Sequence, residues 1–543
     1  MVFARRSTPL LAAIIASCAM VLSLTACTSD NKTVVDGQTT VTSNSAGGVA
    51  VFTPSDGITL NQQTPLNKWA KLVPDLAKAL ADAGFKKGDI DHTTSDSLAK
   101  QSRAIQDFVV DHLSNNTTDD SGIAIAPDNM TLLVAPVFEA DASTRQYGDY
   151  ISQNLSTNDA TDGEATSDGE SSEDDSSKDD SSNTESDSTA SDEQAQAVDR
   201  LVSSLKLAKE SGMHVVLLGN SIEGYKPDAF VKFSDAQTIG KLQAEKMVSK
   251  LKLDKASKDN PKYIEVLLPY TAVDEKGNAN DSTFAQEAFR GIWQVLGSYY
   301  QKGVVESPSG TLDGKSTEND WQAVAYDAAK EGSTAKVLDK RLAKTDGQST
   351  LTRIDGIITM NDYIASEVVK ELDDLGYTGS AADINPQITI SGIVGNITGK
   401  KDLSRDAVPD PIKSPENDNA NDSSSSDDDA DEDTSASDKD RDSQWPLVTG
   451  YGAYVSNIPS IVNGKQWMTG MEDRQTIATD IAQACAKLNK DEALNSMPSI
   501  RNSEVGGVKK IPTISEPLLA VSASNLKSAL IDPGYISLAD AGL

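Results

Sequence analysis

The sequence predicts an α/β protein whose parallel sheets are covered by helices and divided between two similarly built lobes. Three observations carry this. Short continuous apolar runs at 131–134, 214–218 and 263–268 suit strands buried on both faces, not the alternating strands of a half-exposed sheet. Between them, apolar residues recur at three- and four-residue spacing, as in an amphipathic helix. The alternation runs once up to Phe233 and starts again beyond it, which implies two lobes with right-handed crossovers and a cleft between them.

In chain order, Val49, Ala50, Val51 and Phe52 form a first strand, and Trp69, Leu72, Val73, Leu76, Leu80 and Ala83 share a helical face. The strand at 131–134 stops at Pro136. Val198, Leu201, Val202, Leu205 and Ala208 mark a helix before the strand at 214–218. Beyond Phe233, a helix carries Ile239, Leu242, Met247, Val248 and Leu251, followed by the strand at 263–268 and a helix over 283–299. A helix from Trp321 to Leu338, a strand at 356–359 and a helix over 364–375 follow. Strands at 388–390 and 446–449 bracket an acidic stretch, and Ile477, Ala478, Ile481, Ala482 and Cys485 define a last helix.

The N-terminus carries Arg5 and Arg6, an apolar run from Leu10 to Leu24, and Thr25-Ala26-Cys27. A basic start, a short apolar stretch and small residues make residues 1–26 a secretory signal, too short to span a bilayer comfortably. The cysteine makes the segment similar to the lipobox of bacterial lipoproteins. That implies cleavage before Cys27, lipid on Cys27, and anchorage at the outer face of the cytoplasmic membrane. Residues 27–48 then form a polar tether. Only Cys485 remains in the globule, so no internal disulfide framework is expected. The net charge is −33, but 14 of the 82 acidic residues fall between 159 and 193 and 12 between 416 and 442. Both segments are Ser- and Asp-rich without aromatics, so 156–194 and 413–444 are expected as disordered acidic insertions. No basic stripe exists to neutralise phosphates, which excludes nucleic acid as a partner.

Catalytic motifs fail on spacing. Gly219-Asn220-Ser221-Ile222-Glu223-Gly224 is one residue too long for a nucleophile elbow. Residues 310–316 are one too short for a phosphate loop, and Gly450-Tyr451-Gly452 lacks a third glycine. His92, His112 and His214 are the only histidines, which gives little support to a histidine-rich metal site. No acid/base pair stands out among the carboxylates. An enzyme, a metal and a cofactor are therefore not expected.

Several strand-end turns combine amides or charges with aromatics: Lys68-Trp69, Asn220-Ser221, Ser234-Asp235, Asn280-Asp281, Asn361-Asp362 and Gly450-Tyr451. Such mixtures suit a sugar, whose vicinal hydroxyls bond amides and carboxylates while rings cover its C–H faces. Further runs are 511–514 (Ile-Pro-Thr-Ile), 517–521 (Pro-Leu-Leu-Ala-Val), Asn525-Leu526-Lys527 and Asp532-Pro533-Gly534-Tyr535. With Gly240-Lys241-Leu242-Gln243-Ala244, Ala288-Phe289-Arg290-Gly291, Thr359-Met360-Asn361-Asp362 and 461–469, they recur in one order along the chain. In these runs the chain resembles the xylose- and multiple-sugar-binding branch of the type I periplasmic binding proteins.

The resemblance implies two Rossmann-like lobes joined by a three-crossing hinge, residues 49–234 plus 453–488 forming one and 235–452 plus 489–543 the other. It implies a lipid-anchored monomer that captures a small carbohydrate and hands it to an ABC-transporter permease. By position, Lys68 and Trp69 stand in the first helix of the site, and Asn361 and Asp362 match its binding turn. Asn220 and Ser221 replace an Asp-Arg clamp, and Tyr451 stands where Gln or Trp is usual. Asp235, Asn280, Asp281, Arg290 and Trp321 complete the candidate set. Asp362 is expected to face the cleft, so that its loss weakens ligand more than fold. The altered clamp leaves an alternative: a ligand sensor, or a surface interaction protein whose cleft no longer binds sugar.

Overall fold

Val49 to Phe52 are all buried, as a strand covered on both faces requires, and the computed structural model builds its first sheet outward from them. It describes residues 46–56, 65–115, 125–138, 144–156, 185–273, 280–343, 351–382 and 444–543. The signal, Cys27, nearly all of the tether, the strand expected at 388–390 and most of both insertions lie outside the described residues.

The first run comprises β1 (Gly48–Pro54), α1 (Trp69–Asp82), β2 (Ile90–Ser95), α2 (Leu98–Asn115) and β3 (Met130–Val134). It continues through β4 (Asn154–Leu155), α3 (Glu185–Glu210), β5 (His214–Leu218), β6 (Ser221–Ile222) and β7 (Ala229–Lys232). The second run begins with α4 (Ala236–Lys250), β8 (Lys262–Val266), β9 (Leu268–Pro269), α5 (Thr283–Gln301) and β10 (Val305–Glu306). Then come α6 (Trp321–Val324), β11 (Ala325–Tyr326), α7 (Ser333–Arg341), β12 (Gly356–Ile358), α8 (Asp362–Leu375) and β13 (Leu447–Thr449). The chain ends through α9 (Ile458–Val462), β14 (Met468–Met471), α10 (Arg474–Leu488), β15 (Ile500–Val505), β16 (Val508–Ser515) and β17 (Leu519–Ser522).

A seven-stranded sheet in the order β15-β16-β7-β5-β3-β1-β2 forms the first lobe, and a four-stranded sheet, β10-β8-β12-β13, the second. Every pairing within them is parallel except the β15–β16 hairpin. One face of the first sheet packs on α1 and α10, the other on α2 and α3. On α1, Trp69, Leu72, Leu76 and Leu80 are buried at the predicted spacing, each contributing about 1.5–3 kcal/mol. Cys485 lies in the same core, where burial pushes its thiol up.

Five expectations need correction. The β15–β16 hairpin, expected in the second lobe, extends the first sheet, because Thr513 and Ile514 pair in parallel with Phe230 and Val231. Conversely, Met468 of β14, expected in the first lobe, packs into the second core. The chain therefore crosses between lobes at 233–235, 472–473 and 516–518, not near 453 and 489. The helix expected from Trp321 to Leu338 is broken: Gly332 takes φ +69° before α7. Finally, α3 starts at Glu185, inside the expected insertion.

Two glycines set the geometry of the second lobe. A Cβ on Gly291 would lie 2.0 Å from the Gln237 carbonyl oxygen, and one on Gly240 would lie 2.2 Å from that of Ala288, so α4 and α5 cross backbone to backbone. Gly291→Ala gains up to about 1 kcal/mol of helix propensity, whereas forcing apart a packed contact costs about 1–3 kcal/mol. Backbone cannot rotate away as a side chain can, so the clash wins. The expected result is a net loss of about 1–2 kcal/mol of stability, read as a lower urea unfolding midpoint; an unchanged midpoint would show that the helices part freely.

Candidate functional site

Helix α1 begins with a defect. Its N-cap residue is Lys68, whose side chain cannot accept a hydrogen bond, so the first N–H groups need acceptors from elsewhere. Two distant carboxylates supply them. Asp149 Oδ2 accepts from the Trp69 N–H at 3.1 Å, and Asp56 Oδ2 from the Ala70 N–H at 3.2 Å. Asp149 Oδ1 also lies 2.7 Å from Lys68 Nζ. Burial first, and then the neighbouring Asp149 carboxylate, push Asp56 up to about 6.

Asp149 belongs to residues 144–155, a strap that runs between the lobes. The Asp149 N–H donates to the Asn67 carbonyl at 2.8 Å. Gly148 sits at φ +96°, where a Cβ would lie 2.6 Å from that same carbonyl oxygen; only glycine allows this approach. Two tyrosines point to opposite lobes. The Tyr150 ring stacks on Phe233 at 4.7 Å and meets Trp69 edge-on at 5.1 Å, in the first core. The Tyr147 ring lies 4.6 Å from Phe284 and 6.3 Å from Tyr451, in the second. Gln146 accepts from Asn361 Nδ2 at 3.1 Å through its side chain and from the Tyr454 hydroxyl at 2.6 Å through its carbonyl. At the far end, β4 pairs with β6. Asn220 Oδ1 accepts from the Gln153 N–H, and the Ser221 hydroxyl donates to Asn154 Oδ1.

Six candidate residues, Lys68, Trp69, Asn220, Ser221, Asn361 and Tyr451, thus converge on one strip between the lobes. The strap lies along that strip and engages all six. Neither Asn67, Gln146, Tyr147, Asp149, Tyr150 nor Tyr454 was legible as a site residue. The available signal was Tyr147-Gly148-Asp149-Tyr150, two rings around a turn in a chain only 5% aromatic.

Asp362 does not face the cleft. It is completely buried, accepting from the Tyr454 N–H at 2.9 Å, Thr469 Oγ1 at 2.9 Å and Gln466 Nε2 at 2.7 Å. Burial outweighs these bonds and raises it to about 6. Its partners lie in the segment after β13 and in β14, so it ties α8 to that stretch of chain. Glu472 sits in the second crossing, also buried, and accepts from both the N–H and the hydroxyl of Ser234 in the first. The Tyr451 hydroxyl lies 2.7 Å from Ser234 Oγ and donates to Glu472 at 3.4 Å. Burial pushes Glu472 up to about 7.

The other candidates serve local structure. Asp235 caps α4 through Thr238 and pairs with Lys232, and Asp281 accepts from the Thr283 N–H in the turn that leads into α5. Asn280 Nδ2 closes its loop on the Thr271 carbonyl. Arg290 pairs with Glu287 one turn earlier on α5, and Trp321 packs edge-on against Tyr270 in the second core. Trp69 is likewise a core ring, 3% exposed. Among the described residues there is no cluster of His, Cys, Asp and Glu able to hold a metal ion, and no helix long and apolar enough to cross a membrane.

No family model and no curated protein matches the chain. Among solved structures, it is similar to an ABC-transporter solute-binding protein from Clostridium phytofermentans with bound β-D-glucose. The identity is 17%, over 91% of this chain and 99% of that one, with a TM-score of 0.44. A carbohydrate-transporter solute-binding protein from Chloroflexus aurantiacus in complex with D-glucose gives 18%, 91% and 98%, and 0.43. An arabinose-binding protein from Geobacillus stearothermophilus gives 9%, 89% and 99%, and 0.40. The functional reading of this chain rests on its own residues.

Proposed function

We propose that this chain is an extracytoplasmic solute-binding protein, anchored by lipid on Cys27, that holds a sugar-like molecule between its lobes for an ABC-transporter permease. The observation that carries the reading is the convergence of groups from both lobes on one strip. Lys68 and the N-terminus of α1 come from one side, Asn361 and Tyr454 from the other, with the rings of Trp69 and Tyr451 nearby. Donors for hydroxyl oxygens beside aromatic faces suit a polyhydroxylated ligand, and three crossings allow lobes to move as bodies. The second reading, a cleft that no longer takes a small molecule, is favoured by the strap lying on that strip.

Two measurements test this. The mature protein is expected to gain several degrees of melting temperature with one member of a monosaccharide panel, since ligand at a hundred times its Kd stabilises by about 2.7 kcal/mol. Failure of every sugar would favour the second reading. For the anchor, the mature protein should partition with membranes and carry diacylglyceryl on Cys27; an unmodified peptide beginning elsewhere would overturn it.

A further inference from the structure

We propose that residues 144–155 are a tethered occupant of the ligand cleft, so that the strap holds the lobes together without ligand and must leave for ligand to enter. This rests on the solute-binding reading above and adds the competitor to it. The strap engages six of the groups expected to bind ligand, Lys68, Trp69, Asn220, Ser221, Asn361 and Tyr451, and does so with chemistry a sugar also offers. Asp149 supplies oxygens to Lys68 and the Trp69 N–H. Gln146 supplies oxygens to Asn361 and Tyr454. Tyr150 supplies a flat apolar face to Phe233 and Trp69. Tyr147 in one core and Tyr150 in the other make three successive peptide units a bridge between lobes.

A ligand that displaces the strap must replace these acceptors, because the exposed start of α1 and the Lys68 ammonium would otherwise lose their partners. Hydroxyl or carboxylate oxygens serve both. Binding then competes with an intramolecular occupant, and the apparent affinity is reduced by the fraction of molecules in which the strap is released.

The test uses the full mature chain and two strap variants, Gln146→Ala/Asp149→Asn, which leaves both tyrosines in place, and Asp149→Ala/Tyr150→Ser. Without ligand, hydrogen exchange of the 146–151 amides is expected to rise about tenfold or more in the variants. Exchange in the two sheets should be unchanged, and small-angle scattering should show a larger radius of gyration. D-Glucose, D-xylose and D-glucuronate are then titrated into each protein. A sugar that binds is expected to bind about tenfold or more tightly to the first variant than to wild type, and to expose the strap amides of wild type. The proposal is overturned if the lobes stay closed and the strap stays protected in both variants. It is equally overturned if a sugar binds wild type with the strap still protected. If the variants open but bind no sugar, the tethered occupant stands and the solute-binding reading fails.

Discussion

Replacing Asp362 with alanine is expected to remove about 3–5 kcal/mol of stability, enough to abolish folding of a marginal domain. The side chain is fully buried, and its carboxylate receives the Tyr454 N–H, the Thr469 hydroxyl and the Gln466 amide. Alanine leaves three buried donors without an acceptor, each at about 1–3 kcal/mol. Asn457 reinforces the same point by donating to the Asp362 carbonyl at 2.7 Å. Asp362→Asn should lose less, because it keeps one acceptor and sets one amide against a donor. Urea midpoints of the two variants check this. A full-stability alanine variant with weakened ligand binding would restore the cleft-facing role expected from sequence.

Glu472→Gln is expected to stabilise the protein at pH 8 by about 2–3 kcal/mol and to flatten its pH dependence. Glu472 titrates near 7 in the fold, against an ordinary 4.5, chiefly because burial disfavours its charge. Its folded form therefore binds a proton that the unfolded chain releases. Its contribution is complete below about pH 4.5, falls as pH rises through about 7, and is gone above that. The groups facing its carboxyl are Ser234 and Tyr451, with the Asp235 charge adding to the upward push. Glutamine keeps the acceptor for Ser234 without the charge. Wild type should thus melt at a lower temperature at pH 8 than at pH 5, and the variant should lose much of that difference. The remainder includes Asp362 and Asp56, each raised to about 6 with burial as the largest cause. An equally steep profile in both proteins would place the titration elsewhere.

Much of the fold was legible because buried parallel strands announce themselves locally. Runs such as Leu132-Leu133-Val134 and Val215-Val216-Leu217 have no other place to go than a covered sheet. What escaped was whatever is polar at the edge. β2 reads Ile-Asp-His-Thr-Thr-Ser, mostly exposed, and gives neither period. α2 buries Gln101 and Ser102, which blurs its apolar face. Gln101 is there to bond the Ala135 carbonyl and the Val137 N–H, a need no local pattern reveals.

The candidate site divides along the same line. The residue types at the strand ends, and the expectation that they lie between two βα lobes, follow from local pattern and from the resemblance those turns carry. Their partners do not. Lys68 meets Asp149 across 81 positions, Asn361 meets Gln146 across 215, and Asp362 meets Gln466 across 104. The sequence by itself determined the alternation of strands and helices and the two-lobed division, since periodicity is set by the nearest few residues. Only the tertiary structure decided that Asp362 is a buried tie, that Glu472 joins two crossings, and that the strap fills the strip between lobes. Those outcomes depend on which carboxylate finds a donor and which loses its water, and both are settled by distant chain brought close.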